Sequence, residues 1–141
     1  MNKKPVILVV DDEHLVLETV VALLENIRGY NVIGAHSFDS AAGHLADRDS
    51  VAILISDYRL WKRRSGLELC EIAVALNAGI AIVLMSAESE YDMSVRPQRA
   101  VYLQKPFGRY DLLNAIKAAK LKVKEVNRDA GGSESSALAG V

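Results

Sequence analysis

Cysteine is all but missing from this sequence: Cys70 is the only one in 141 residues. A single thiol excludes an intramolecular disulfide framework and a cysteine cluster for zinc, and a reducing cytosol is the natural setting. Long apolar runs are missing as well. The amino-terminal MNKKPVILVV places only five apolar residues, Val6 to Val10, ahead of Asp11 and Asp12. That is too short for a signal-peptide core and far too short for a membrane span, so the chain is expected to be cytoplasmic. An excess of one charge is lacking too. Seventeen Lys and Arg stand against eighteen Asp and Glu, a net charge of −1. No Lys/Arg-rich run suggests nucleic acid and no acidic tail suggests the reverse, so neither nucleic acid nor a membrane is an expected partner. The three histidines, His14, His36 and His44, are scattered over different segments and make no metal-ligand spacing.

Apolar residues in short blocks are abundant. Half of the chain is hydrophobic, enough for a core without disulfide or metal staples. Val6 to Val10, Asn31 to Ala35, Val51 to Asp57, Ile80 to Met85 and Ala100 to Gln104 read as strands, most of them unbroken apolar runs of the kind buried on both faces of a parallel sheet. Between them the period changes. Leu17, Val20, Val21, Leu24 and Ile27 recur at helical spacing, with Gly29 placed to stop the helix. Ser37 can cap a helix carrying Phe38, Ala41, Ala42 and Leu45. Ser65 and Glu68 form a capping box ahead of Leu67, Leu69, Ile72, Ala73 and Leu76. Glu88 to Ser94 is a short helix at most, because Pro97 prevents its continuation. A last helix from Arg109 shows Leu112, Leu113, Ile116, Ala119, Val123 and Val126, and its extension through Val123 and Val126 is a candidate homodimer surface. After Asn127 the chain turns small and polar. The expected organisation is one domain over residues 1–126 and a flexible tail over 127–141. Five β-α units in series require parallel strands, right-handed crossovers and helices on both faces. This is a doubly wound, flavodoxin-like (βα)5 three-layer sandwich with strand order 2-1-3-4-5.

In such a sheet every carboxyl end lies on one edge, where ligands bind. The residues delivered there are Asp11 and Asp12, Asp57, Ser86 and Lys105. Each alone would suit a turn, a helix cap or a surface ion pair; Asp57 by itself reads equally well as the start of a turn. Together they are specific. Three carboxylates at close range must hold a cation or protonate, and Mg²⁺ takes one or two carboxylates, water and a phosphate oxygen. An ammonium and a hydroxyl complete a set that suits a phosphoryl group, with a carboxylate attacking in line. Asp57, alone on the central strand, is the expected nucleophile. Asp11 and Asp12 are then metal ligands, directly or through water.

VILVVDDE, ILISDYRL, SGLEL, VLMSAE and YLQKPF, in this order and spacing, resemble the receiver domain of bacterial two-component response regulators over Pro5 to about Val126. The resemblance implies that Asp57 is the phosphoacceptor, served by a sensor histidine kinase or a histidine phosphotransfer protein. It implies that Asp11, Asp12 and Asp57 hold Mg²⁺ with the backbone carbonyl of Arg59, and that Ser86 is the switch hydroxyl and Lys105 the family's lysine. Tyr102 matches the switch aromatic, and the Arg59 and Glu88 positions tune loss of the phosphoryl group. Output would be a change in the surface formed by the fourth helix, fifth strand and fifth helix, read by an unknown downstream protein. The chain would be no enzyme beyond its own phosphorylation and dephosphorylation. It would be a stand-alone receiver or one excised from a hybrid kinase.

Two departures stand out. The loop YRLWKRR, expected to be long and polar, carries bulky and basic residues where receivers carry a proline, and the segment between Ser86 and Lys105 is short. Two rivals are weighed against the signalling reading. A phosphatase of the haloacid-dehalogenase type needs a second Asp two residues after the nucleophile, and Arg59 stands there. A receiver-like interaction module that is never phosphorylated would not require all five pocket residues.

Overall fold

The structure is a computed structural model that describes residues 4–47, 51–60, 65–87 and 97–139. Nine elements follow one another: β1 (Val6–Val10), α1 (His14–Leu23), β2 (Asn31–Ala35), α2 (Phe38–Asp47), β3 (Val51–Asp57), α3 (Gly66–Leu76), β4 (Ala81–Ser86), β5 (Ala100–Gln104) and α4 (Arg109–Ala139). The strands form a single parallel sheet in the order β2-β1-β3-β4-β5, the α/β sandwich expected. The helix expected over Glu88–Ser94 and most of the basic part of the YRLWKRR loop, Trp61–Arg64, lie outside the described residues. Among the described residues no helix is long and apolar enough to cross a membrane.

The unbroken apolar strands are explained by two cores. Side chains alternate across a strand, so Leu8, Leu54, Ile82 and Leu84 pack under α2 and α3 with Ala41, Leu45, Leu69 and Ala73. Their neighbours Ile7, Val9, Ile55 and Val83 pack on the other face under α1 and α4. There they meet Leu17, Val20, Leu112 and Ala119. Both faces are buried, so neither phase of the alternation is polar.

Several element boundaries differ from the sequence expectation for local reasons. α1 ends at Leu23, a turn before Ile27, because Asn26 adopts a left-handed backbone (φ 65°); Gly29, also left-handed (φ 87°), shapes the loop that follows rather than the helix end. In α3 Cys70 is buried as the small core residue it was expected to be, whereas Leu76, expected on the apolar face, is exposed. The end of α3 is fixed by Asn77, whose backbone N–H donates to the Ala73 carbonyl at 2.8 Å and whose side-chain amide donates to the Val51 carbonyl at 3.1 Å. Both expected caps form: Ser37 Oγ accepts the Ser40 N–H at 3.0 Å and Ser65 Oγ accepts the Glu68 N–H at 3.2 Å. The last helix runs on past Val126 as helical backbone to Ala139, through residues expected to form a flexible tail.

The loop after Asp57 begins differently from its polar reading. Tyr58 and Leu60 are buried and join the core under α2 and α3, while Arg59 between them is exposed. The strand's alternation therefore runs on past its last ladder bond.

Candidate functional site

The carboxyl edge of the sheet assembles the site. β1 is prolonged by one step, since the Asp11 N–H donates to the Ala35 carbonyl at 3.2 Å. This holds Asp11 rigidly at the edge, with its carboxylate fully buried. Its Oδ1 accepts the Glu13 N–H at 2.9 Å and its Oδ2 accepts from Lys105 Nζ at 2.9 Å. Asp57 is the last residue of β3, opposite Met85 of β4. Lys105 Nζ is 3.4 Å from its Oδ1, so one ammonium bridges two carboxylates. Asp12 completes the group: oxygens of Asp11, Asp12 and Asp57 lie within 4.8 Å of one another.

Lys105 reaches this point because its backbone N–H donates to the Ser86 carbonyl at 2.8 Å, continuing the β4–β5 ladder beyond Gln104. Ser86 closes β4, buried, next in line after the ladder partner of Asp57. Five sequence-predicted residues from four strand ends thus come to one edge. Tyr102, paired with Leu84, is half-buried on β5 against the core under α3. Arg59 pairs as an isolated bridge with Ser65, its side chain turned to solvent. Glu88 lies outside the described residues.

The electrostatics are those of a crowded acidic pocket. Burial pushes the Asp57 carboxyl up to about 6; the nearby Lys105 charge opposes this, and the charges of Asp11 and Asp12 add to it. Burial also raises Asp12 above the ordinary carboxylate range, helped by Asp11 and Glu13. For Lys105, burial favours the neutral amine, but the hydrogen bond to Asp11 and the charge of Asp57 outweigh it, and its pKa rises. Three carboxylates against one ammonium leave the pocket short of positive charge. The donors are all hard oxygens, which fits a divalent ion of the Mg²⁺ type.

Two parts of the site lie within the quoted motifs SGLEL and ILISDYRL, where the sequence assigns them no role of their own. Gly66, first residue of α3, sits so close to β3 that a Cβ there would lie 2.3 Å from the carbonyl oxygen of Asp57. Its N–H donates to the Tyr58 carbonyl at 2.9 Å. The start of α3 therefore braces the peptide that follows Asp57. Ser56, fully buried, adds a bond from its Oγ to the same Asp57 carbonyl at 2.9 Å. Neither need is visible until β3 and α3 are packed together.

A family profile described as the response regulator receiver domain matches residues 7–117. The chain belongs to this family. Among curated relatives, the receiver is 31% identical over 123 residues to the response regulator protein TodT of Pseudomonas putida, covering 84% of this chain and 52% of TodT. The chain thus spans about half the length of the curated relatives it matches. Among solved structures, a CheY-like receiver domain protein of Methanospirillum hungatei superposes with a TM-score of 0.70 at 26% identity, covering 90% of this chain and 99% of that one. A Burkholderia pseudomallei response regulator, solved with a phosphorylated aspartic acid, a calcium ion and citrate, superposes with a TM-score of 0.69 at 25% identity, covering 88% and 74%. The three-carboxylate cluster of this receiver is consistent with the family's Mg²⁺ site. Membership implies, in general, a histidine kinase as partner, and the family is typically a signalling module rather than an enzyme.

Proposed function

We propose that this receiver is a phosphorylation-activated switch in which Asp57 accepts a phosphoryl group from a phosphohistidine of a sensor kinase or histidine phosphotransfer protein. The observation that carries the reading is the Asp11–Lys105–Asp57 bridge beside Asp12 at the carboxyl edge. An Asp57 carboxylate oxygen attacks phosphorus in line. The P–O bond forms as the P–N bond to the histidine breaks, and the departing imidazole keeps the electron pair and takes a proton from solvent. Lys105, already between two carboxylates, can follow the new negative charge while remaining tied to Asp11. Ser86 Oγ is the hydroxyl donor for a second outer oxygen. Asp11, Asp12, Asp57 and the Arg59 carbonyl would hold Mg²⁺, which supplies positive charge against the phosphoryl oxygens.

The product carries about −1.5 to −2 of new charge and three strong acceptors. Ser86 and Lys105 move toward it, Tyr102 on the neighbouring strand changes rotamer, and the surface around β5 and the last helix is repopulated. Arg59 and Glu88 set how long the phosphoryl group survives. The reaction ends with the modified chain, so no small-molecule turnover is expected, and a downstream protein reads the surface in the cytoplasm. Incubation with acetyl phosphate and Mg²⁺, followed by intact mass measurement, tests this. One added phosphoryl group is expected, absent with a chelator and absent in Asp57→Asn. An unchanged mass in the parent protein would reduce the chain to an interaction module, and sustained hydrolysis of a phosphoester would make it a phosphatase.

A further inference from the structure

A second concave site lies at the opposite edge of the sheet from the acidic pocket. The strands run parallel, so Asp57 marks the carboxyl edge while residues 27–30 lead into the amino end of β2. α4 runs back across the sheet from Arg109 and passes these residues. The two enclose a groove of about 430 Å³. Its apolar surface comes from Ile27, Tyr30, Leu113 and Leu121, and Leu121 is left 53% exposed. Arg28, Lys117, Lys120 and Lys124 line it as well, and no carboxylate does.

These cations are short of partners. Among the described residues none of the four forms an ion pair, and Lys120 has only the face of Tyr30, 5.4 Å from the ring centroid. Lys117, Lys120 and Lys124 are spaced three and four residues apart on one helix, where like charges repel. An anionic occupant would relieve that repulsion, and the exposed apolar floor requires an occupant with apolar side chains of its own. A phosphate ion or a nucleic-acid backbone satisfies the first condition and not the second. A second copy of this chain, docked symmetrically, would set four cations against four. The lining stretch of α4, Leu113 to Lys124, covers about 16 Å of helix, the length of three turns. An amphipathic helix with apolar anchors at i, i+4 and i+7 and acidic flanks meets all of these demands.

We propose that this groove is a docking site for an acidic amphipathic helix of a partner protein, engaged at the opposite edge from the acidic pocket. The probe is a fluorescein-labelled peptide of about 16 residues with leucines at helical spacing and glutamates beside them. Controls are a scrambled peptide of the same composition, phosphatidylglycerol vesicles and a single-stranded oligonucleotide. The expected result is saturable binding with backbone shift changes confined to residues 27–30 and 113–124. Lys117→Glu combined with Lys124→Glu should weaken binding about tenfold, and added salt should weaken it too. The exposed substitution Leu121→Ser should weaken it several-fold, and the scrambled peptide should bind at least about tenfold less tightly. Absence of binding, equal binding of the scrambled peptide, indifference to Leu121→Ser, or preference for vesicles or oligonucleotide would each overturn the proposal.

Discussion

Lys105 decides whether the pocket can exist without a metal. Its ammonium is the only cation within bonding reach of the buried Asp11 carboxylate among the described residues. Lys105→Met should therefore cost about 1–3 kcal/mol at neutral pH, because it strands a buried charge. Urea denaturation should show this loss shrinking when Mg²⁺ is added. Asp57 has the opposite sign. Its pKa is raised from 3.8 to about 6, mainly by burial, so the folded state favours the protonated form. The corresponding stability is full below pH 3.8 and is lost as pH rises through 6. At pH 7 the metal-free protein lacks it, whereas an amide keeps it. Asp57→Asn should accordingly be more stable than the parent at pH 7 by about 1–2 kcal/mol, discounted for partial solvent exposure. The advantage should fade between pH 6 and 4, as urea midpoints across pH would show.

At the scale of elements, the site depends on how closely α3 approaches the end of β3. With the Asp57 carbonyl 2.3 Å from any Cβ at position 66, Gly66→Ala must move backbone rather than a flexible side chain. The expected cost is about 1–3 kcal/mol. Because the displaced peptide is that of Asp57 itself, phosphorylation by acetyl phosphate should slow even at temperatures where the variant is fully folded. A variant that loses stability and keeps the parent's rate would show that α3 supports the strand without positioning it. Strands that end on Asp11, Asp57, Ser86 and Lys105 are legible because apolar runs stop abruptly on chemistry. The need for glycine at position 66 and the burial of Tyr58 and Leu60 come from how β3, α2 and α3 pack together, whereas the left-handed Asn26 belongs to the local turn after α1. Helical periodicity marks an apolar face on α3 and Cys70 reads as a core residue, but the exposure of Leu76 is set by how α3 packs on β3 and α2.

For the whole molecule, the parallel sheet follows from the alternation of elements, and its observed order brings the ends of β1, β3, β4 and β5 side by side at the acidic pocket. The carboxyl-terminal stretch was the least legible part. Its Gly131, Gly132 and serines read as irregular, yet the backbone is helical to Ala139. Up to Val123 that helix is anchored by Leu112, Ile116 and Ala119 in the core; from Lys124 to Arg128 every residue is exposed. A helical segment without tertiary contacts opens easily. Hydrogen exchange should therefore show Leu112 to Val123 protected nearly to the global unfolding limit and amides beyond about residue 127 exchanging close to the unprotected rate. Strong protection beyond that point would extend the folded domain past 126.

In the proposed switch the phosphoryl group resides on Asp57. An acyl phosphate is reduced by borohydride to the corresponding alcohol, whereas a free carboxylate is not. Phosphorylation with acetyl phosphate and Mg²⁺, reduction and peptide mapping should therefore mark Asp57 and leave Asp11 and Asp12 intact. A mark on Asp11 or Asp12, or none in a peptide that contains Asp57, would contradict it.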